Sequence, residues 1–160
     1  MATIRFHTTA NSSPEEFVAG LTDFGPGRAK LFAFSADNYL VVHDQGPTSA
    51  DVTEGSHGIW ERLRYDWSDP NRVVMTTTDS NIWGGRSGHT YTLTRHPGQK
   101  TEIDAVVVRE GKNVAGRVFA TLASIIGPFA LRRQLDKSVR AIEARAGSPT
   151  VGPGESHAAP

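Results

Sequence analysis

At 160 residues the chain has the length of one domain with a sizeable core. Its seventeen Lys and Arg balance seventeen Asp and Glu, which argues against a nucleic-acid binder relying on a basic surface to neutralise phosphates. The absence of Cys excludes disulfides, thiolate catalysis and Cys-ligated metal sites. No stretch approaches the roughly 18 consecutive apolar residues of a membrane span, and residues 1–9 read as strand rather than as a secretory leader. The expectation is a cytoplasmic protein without a membrane span.

Residues 3–9 alternate Ile4 and Phe6 with Arg5 and His7, the period of a strand with one buried face. Ser13 can then cap a helix, with Pro14 at a first position that needs no N–H donor and Glu15 and Glu16 suited to the dipole. Phe17, Val18 and Leu21 give this helix an apolar side, and Gly25-Pro26-Gly27 stops it near Asp23. A second short helix is expected over residues 28–34. From residue 38 to 111 the pattern changes to strands divided by turns: 39–44, 50–56, 59–67, 72–79, 89–96 and 101–110. Gln45-Gly46-Pro47, Gly58, Ser68-Asp69-Pro70-Asn71 and Pro97-Gly98 mark the turns. Such short connections favour antiparallel neighbours.

Residues 113–145 read as one long helix, in which Val114, Val118, Leu122, Ile125 and Phe129 form an apolar stripe continued by Leu131, Leu135, Val139 and Ile142. With strands before it, this helix must bury its stripe on a sheet. Unbroken, it would run about 50 Å, longer than a domain of this size is wide. Pro128 removes a donor and crowds the Ser124 carbonyl, so a kink or break is expected at Gly127-Pro128. Residues 114–126 would then be a pocket lid and residues 129–142 the part packed on the sheet. Residues 147–160, rich in Gly, Pro, Ser and Ala, read as a disordered tail, which leaves residues 1–146 as the domain.

This succession of one strand, two small helices, six antiparallel strands and a long closing helix resembles the START-like, or SRPBCC, superfamily. Asn11-Ser12-Ser13-Pro14-Glu15-Glu16-Phe17, Asp51-Val52-Thr53-Glu54-Gly55 and Arg62-Leu63-Arg64-Tyr65-Asp66 resemble its polyketide cyclase/dehydrase-like branch, and the likeness extends over residues 3–145. It implies an α+β helix-grip fold: a curved seven-stranded antiparallel sheet wrapped around the kinked C-terminal helix. Between them the resemblance implies a cavity for a lipid, fatty acyl chain or polyketide-like molecule. Fold alone does not choose among such uses.

Alternation places Glu61 with Leu63, Tyr65 and Trp67 on one face of its strand, and His89 with Tyr91, Leu93 and Arg95 on another. In the last strand Ile103, Ala105, Val107 and Arg109 share a face, although Val106 and Val108 leave the buried side open. Glu61, His89, Tyr91 and Arg109 form the candidate polar set. A carboxylate or imidazole in an apolar cavity acquires a shifted pKa and can move protons beside a ketone, with Arg109 holding an enolate or carboxylate. The plainer reading of a facing Glu and Arg is a structural ion pair. Trp83, before Gly84-Gly85, can gate a pocket, or the glycines can simply supply a turn. Tyr65, Phe119, Leu122 and Ile126 complete the candidate ligand-binding set, the last three as a pocket ceiling or as ordinary core. His43, His57 and His89 stand on separate strands without ligand spacing, and His7, His96 and His157 add nothing, so no metal is expected. No phosphate loop or nucleophile elbow occurs, and no cofactor is expected.

The favoured function is binding of a small hydrophobic molecule. A polyketide cyclase or dehydratase, with Glu61, His89 or Tyr91 transferring protons, is the enzymatic alternative, and an interaction module the third reading. The oligomeric state is not legible.

Overall fold

The computed structural model describes residues 1–32 and 35–147. The end of the expected second helix (33–34) and the expected tail from residue 148 lie outside the described residues.

β1 (Ala2–Ala10) buries Ala2, Ile4, Thr8 and Ala10, with Phe6 partly buried on the same face. α1 (Pro14–Leu21) starts at a capping box, in which the Glu16 N–H donates to Ser13 Oγ at 3.2 Å and the Ser13 N–H to Glu16 Oε2 at 2.7 Å. α2 (Arg28–Leu31) is a single turn entered through Gly27, whose φ of +87° a side chain would strain. A 3₁₀ turn (Asp37–Tyr39) leads into β2 (Val41–Gln45), β3 (Ser49–Ser56), β4 (Ile59–Asp66), β5 (Arg72–Ser80), β6 (Gly88–His96) and β7 (Lys100–Arg109).

The strands form one curved antiparallel sheet in the order β1-β7-β6-β5-β4-β3-β2. β2 to β7 follow one another through short connections, and β1 then pairs with β7, Ile4 opposite Val107 and Phe6 opposite Ala105. That register turns both apolar sets to one side, so Ile103, Ala105, Val107 and Arg109 face inward. β5 carries a bulge: Arg62 pairs with Asp79 but Leu63 with Thr77, and the buried positions step from Val73, Met75 and Thr77 to Ser80.

α3 (Val114–Ala146) opens at Asn113, whose side chain accepts from the Gly116 N–H at 2.8 Å. It runs unbroken for 33 residues with Pro128 inside it, so the expected break is not there. Ser124 and Pro128 are both exposed, which lets water meet the carbonyl that Pro128 leaves without a donor.

The two halves of α3 bury opposite kinds of residue. The first turns Gly116, Ala120 and Gly127 inward, and leaves Val114, Val118, Phe119, Leu122, Ile125, Ile126 and Phe129 exposed. A Cβ on Gly116 would lie 2.1 Å from the Ile82 carbonyl oxygen, and one on Gly127 3.0 Å from Ile4 Cδ1. The second half buries Leu135, Val139 and Ile142 in the core shared with Phe17, Leu21 and Leu31. Ser138 Oγ donates to the Leu31 carbonyl at 2.6 Å, and Arg145 pairs with Asp23 at 2.7 Å. The expected lid over residues 114–126 is therefore corrected: that segment docks through its small residues, which let its backbone approach the fold and turn its large side chains away.

By length and composition α3 is apolar enough to cross a membrane, with a mean hydropathy of 1.6 in its most apolar window, of which 17% is buried. Arg117, Thr121 and Pro128 interrupt its apolar run, so it holds no 18 consecutive apolar residues.

Candidate functional site

A cavity of about 90 Å³ lies between the inner face of the sheet and the second half of α3. The apolar part of its wall includes Phe6, Leu21, Phe32, Met75, Val107, Leu131 and Leu135, the strand residues among them brought together because β1, β5 and β7 turn their buried sets toward the helix. A larger cleft of about 370 Å³ opens beside the first half of α3, lined by Met1, Arg86, Glu110 and Arg117. None of the candidate residues lines that cleft, so the inner cavity is the one that concerns them.

Two ionic clusters border the cavity. In the first, fully buried Arg28 donates from Nε to Glu54 Oε1 at 2.6 Å, from Nη2 to the Tyr65 hydroxyl at 3.1 Å, and from Nη1 to the Leu21 and Asp23 carbonyls. The Tyr65 hydroxyl in turn donates to Glu54 Oε2 at 3.1 Å. Phe24 and Phe32 stack on the guanidinium, 4.6 and 4.8 Å from their ring centres. Burial and then the Glu54 charge push the Tyr65 hydroxyl well above the usual phenol range. This cluster ties the turn carrying α2 to β3 and β4, and so closes one end of the cavity.

The second cluster joins β4, β6 and β7. Arg109 donates to both Glu61 oxygens, at 2.8 and 2.9 Å, and to His89 Nε2 at 2.6 Å, while Thr77 Oγ1 donates to Glu61 Oε2 at 3.1 Å. The Arg109 guanidinium also lies 4.9 Å from the Trp83 ring centre. Burial by itself would raise the Glu61 carboxyl, but the Arg109 charge and the neighbouring His89 outweigh it and hold the carboxyl well below the usual range. Burial, then the same Arg109 charge, lowers the His89 imidazole. The geometry agrees: an arginine only donates, so His89 Nε2 must present a lone pair and the ring is neutral.

Tyr91 stands apart from both clusters. Burial pushes its phenol up to about 12, and among the described residues its hydroxyl has no hydrogen-bond partner although it lines the cavity. The Ser35 hydroxyl, on the same wall, is buried and likewise without a partner.

Of the candidates read from sequence, Tyr65, His89 and Tyr91 line the cavity, and Glu61 and Arg109 join it through His89. Trp83 packs on Arg109 and pairs its backbone with Gly111, and so holds β7 instead of lining the cavity. Phe119, Leu122 and Ile126 lie 46%, 48% and 63% exposed on the outer side of α3 and form no ceiling. The helix contributes Leu131, Gln134, Leu135 and Ser138 instead. Sequence reasoning also missed Arg28 and Glu54. Glu54 shares the inward alternation of Ala50 and Val52 and was within reach, whereas nothing local marks an arginine in a single-turn helix as buried.

The outer face holds a further surprise. His7 Nδ1 lies 3.1 Å from Asp104 Oδ1 and 3.6 Å from Glu102 Oε1, and His96 Nε2 lies 2.7 Å from Glu102 Oε2. His7, Glu102 and Asp104 bring ligand atoms within 4.8 Å of one another, close enough for a metal ion. The grouping arises because β1 and β6 both pair with β7 and set His7 and His96 beside Glu102.

No family model matches the sequence, and no curated protein matches it significantly. Solved structures do match in shape. The protein TTHA0849 of Thermus thermophilus superposes with a TM-score of 0.70 at 14% identity, over 91% of this chain and 99% of that one. The Zhui aromatase/cyclase of a Streptomyces species gives 0.66 at 14% identity, over 90% and 94%. A START superfamily protein from Mycobacterium smegmatis gives 0.65 at 12% identity, over 91% and 97%. Identities this low speak to architecture alone, and on that ground the chain has the START-like helix-grip fold.

Proposed function

We propose that the protein binds a small, mostly apolar molecule bearing a carbonyl or hydroxyl oxygen, held between the sheet and the second half of α3. One observation carries this reading: the Ser35 hydroxyl is buried on an otherwise largely apolar wall without a hydrogen-bond partner among the described residues, and Tyr91 lines the same cavity. A buried hydroxyl left unmet costs about 1–3 kcal/mol, and either group can donate to or accept from a ligand oxygen.

The volume limits the ligand. About 90 Å³ holds roughly three waters at ~30 Å³ each, less than the ~150 Å³ cavity that takes benzene. A single-ring or short branched molecule therefore suits the cavity better than a full acyl chain. Admitting even one ring requires wall side chains to move aside, and Phe32, Leu131 and Gln134, which are partly exposed, are the ones free to do so.

The cyclase or dehydratase reading, which the likeness in fold to an aromatase/cyclase raises, is weaker. Glu61 is clamped by Arg109 and is a poor base, the His89 lone pair is already taken, and Tyr91 keeps its proton at neutral pH.

Native mass spectrometry of freshly purified protein should reveal a bound small molecule, and calorimetry should show uptake of acetophenone as a single-ring ketone probe. Tyr91→Phe should weaken that uptake roughly ten-fold, the loss of one hydrogen bond. Protein that is repeatedly bare and gives no heat with the probe would overturn the proposal.

A further inference from the structure

The first half of α3 presents seven large apolar side chains, Val114, Val118, Phe119, Leu122, Ile125, Ile126 and Phe129, each between 46% and 78% exposed. At about 100° per residue they fall on the arc of the helix opposite Gly116, Ala120 and Gly127, the stripe that touches the fold. A contiguous apolar face of this extent on a folded protein marks an interaction site. The charges on the helix beside it have one sign. Arg117, Arg132 and Arg133 bracket the face, and no Asp or Glu occurs between Glu110 and Asp136, while Lys112 just before the helix is taken up by Asp79. Among the described residues Arg117, Arg132 and Arg133 form no ion pair.

We propose that this face of α3 docks on an anionic lipid bilayer. The helix lies in the plane of the interface, its apolar side chains among the acyl chains and its arginines on the headgroup phosphates. It does not cross the bilayer, because its opposite side is seated on the fold, where Gly116 leaves no room even for a Cβ beside the Ile82 carbonyl. A second copy of the chain is a poorer occupant. In an antiparallel two-fold pairing centred on Ile125, Arg117 of each helix would face Arg132 and Arg133 of the other, a meeting of like charges. The proposal stands independently of what the cavity binds.

Co-sedimentation of the full chain with vesicles tests it. The protein should pellet with equimolar phosphatidylcholine and phosphatidylglycerol at low salt, and far less with phosphatidylcholine alone. Ile125→Asp with Phe129→Asp should weaken binding at least ~100-fold by removing apolar burial and adding negative charge. Arg132→Gln with Arg133→Gln should weaken it roughly 30-fold, while circular dichroism and the thermal midpoint stay unchanged in both. Should the aspartate pair disturb folding, Ile125→Ser with Phe129→Ser is read in the same assay. Wild-type protein that ignores anionic vesicles, or an apolar-face variant that binds them equally well, overturns the proposal. So does analytical ultracentrifugation showing a dimer that the Ile125 and Phe129 changes dissociate, since the face would then belong to a second copy.

Discussion

The two halves of α3 share one helix and one direction, yet solve opposite packing problems. The second half follows the familiar rule: Leu135, Val139 and Ile142 go in, and Lys137 and Arg140 stay out. The first half inverts it, with Gly116, Ala120 and Gly127 in and Phe119, Leu122, Ile125 and Phe129 out. What separates them is how close the helix axis can come to its support. Beside Ile82 and Ile4 there is room only for a backbone and hydrogens or a methyl group. Against α1, α2 and the open end of the sheet the gap is wide enough to need branched side chains, and the cavity is the part of that gap left unfilled. Hydrophobicity alone is therefore a poor guide to which side of a helix is inside.

The contrast can be broken most directly by truncation in the second half. Leu135→Ala should cost about 2–5 kcal/mol in denaturant unfolding, as the loss of a buried leucine usually does, and should enlarge the cavity. In the first half the damaging change is enlargement. Gly116→Ala should cost roughly 1–3 kcal/mol in the same experiment because its methyl meets a backbone carbonyl, even though alanine is the better helix former. Leu122→Ala, which truncates an exposed side chain, should stay within about 0.5 kcal/mol. Equal costs for Leu135→Ala and Leu122→Ala would erase the distinction.

A smaller effect distinguishes the halves by pH. Asp23 is held below the usual carboxylate range first by the Gly25 N–H and then, against partial burial, by Arg145 at the end of α3. Its contribution is present above the unfolded pKa of about 3.9 and is lost as pH falls through the lower folded value. Arg145→Gln should therefore flatten the acid side of the stability curve by a few tenths of a kcal/mol, the scale of an exposed pair. The first half carries no carboxylate, so Leu122→Ala should leave the shape of that limb unaltered.

The candidate site was legible where alternation is local. Period-two reasoning grouped Glu61 with Tyr65 and His89 with Tyr91 but left the side of Arg109 open, and the strand pairing sets all five on one inner face. The Glu61 to Arg109 contact reaches across two intervening strands, β5 and β6, so sequence could offer it only as one of two readings, and the bidentate geometry favours the structural ion pair. Phe119, Leu122 and Ile126 misled because a stripe of large apolar residues was equated with a buried face. Arg28 escaped notice because its burial depends on Glu54 and Tyr65, which lie 26 and 37 residues away.

By itself the sequence determined the order of strands and helices, the turns, the start of α1 at Ser13-Pro14 and the start of α3 at Asn113. Those features rest on contacts between residues a few positions apart, where residue type directly sets the backbone preference. Only the tertiary structure decided that α3 continues through Pro128, that its second half covers the cavity, and that its first half shows its apolar residues to the outside. Each of these follows from the distance between the helix and the sheet, which the contacts of the whole chain set together.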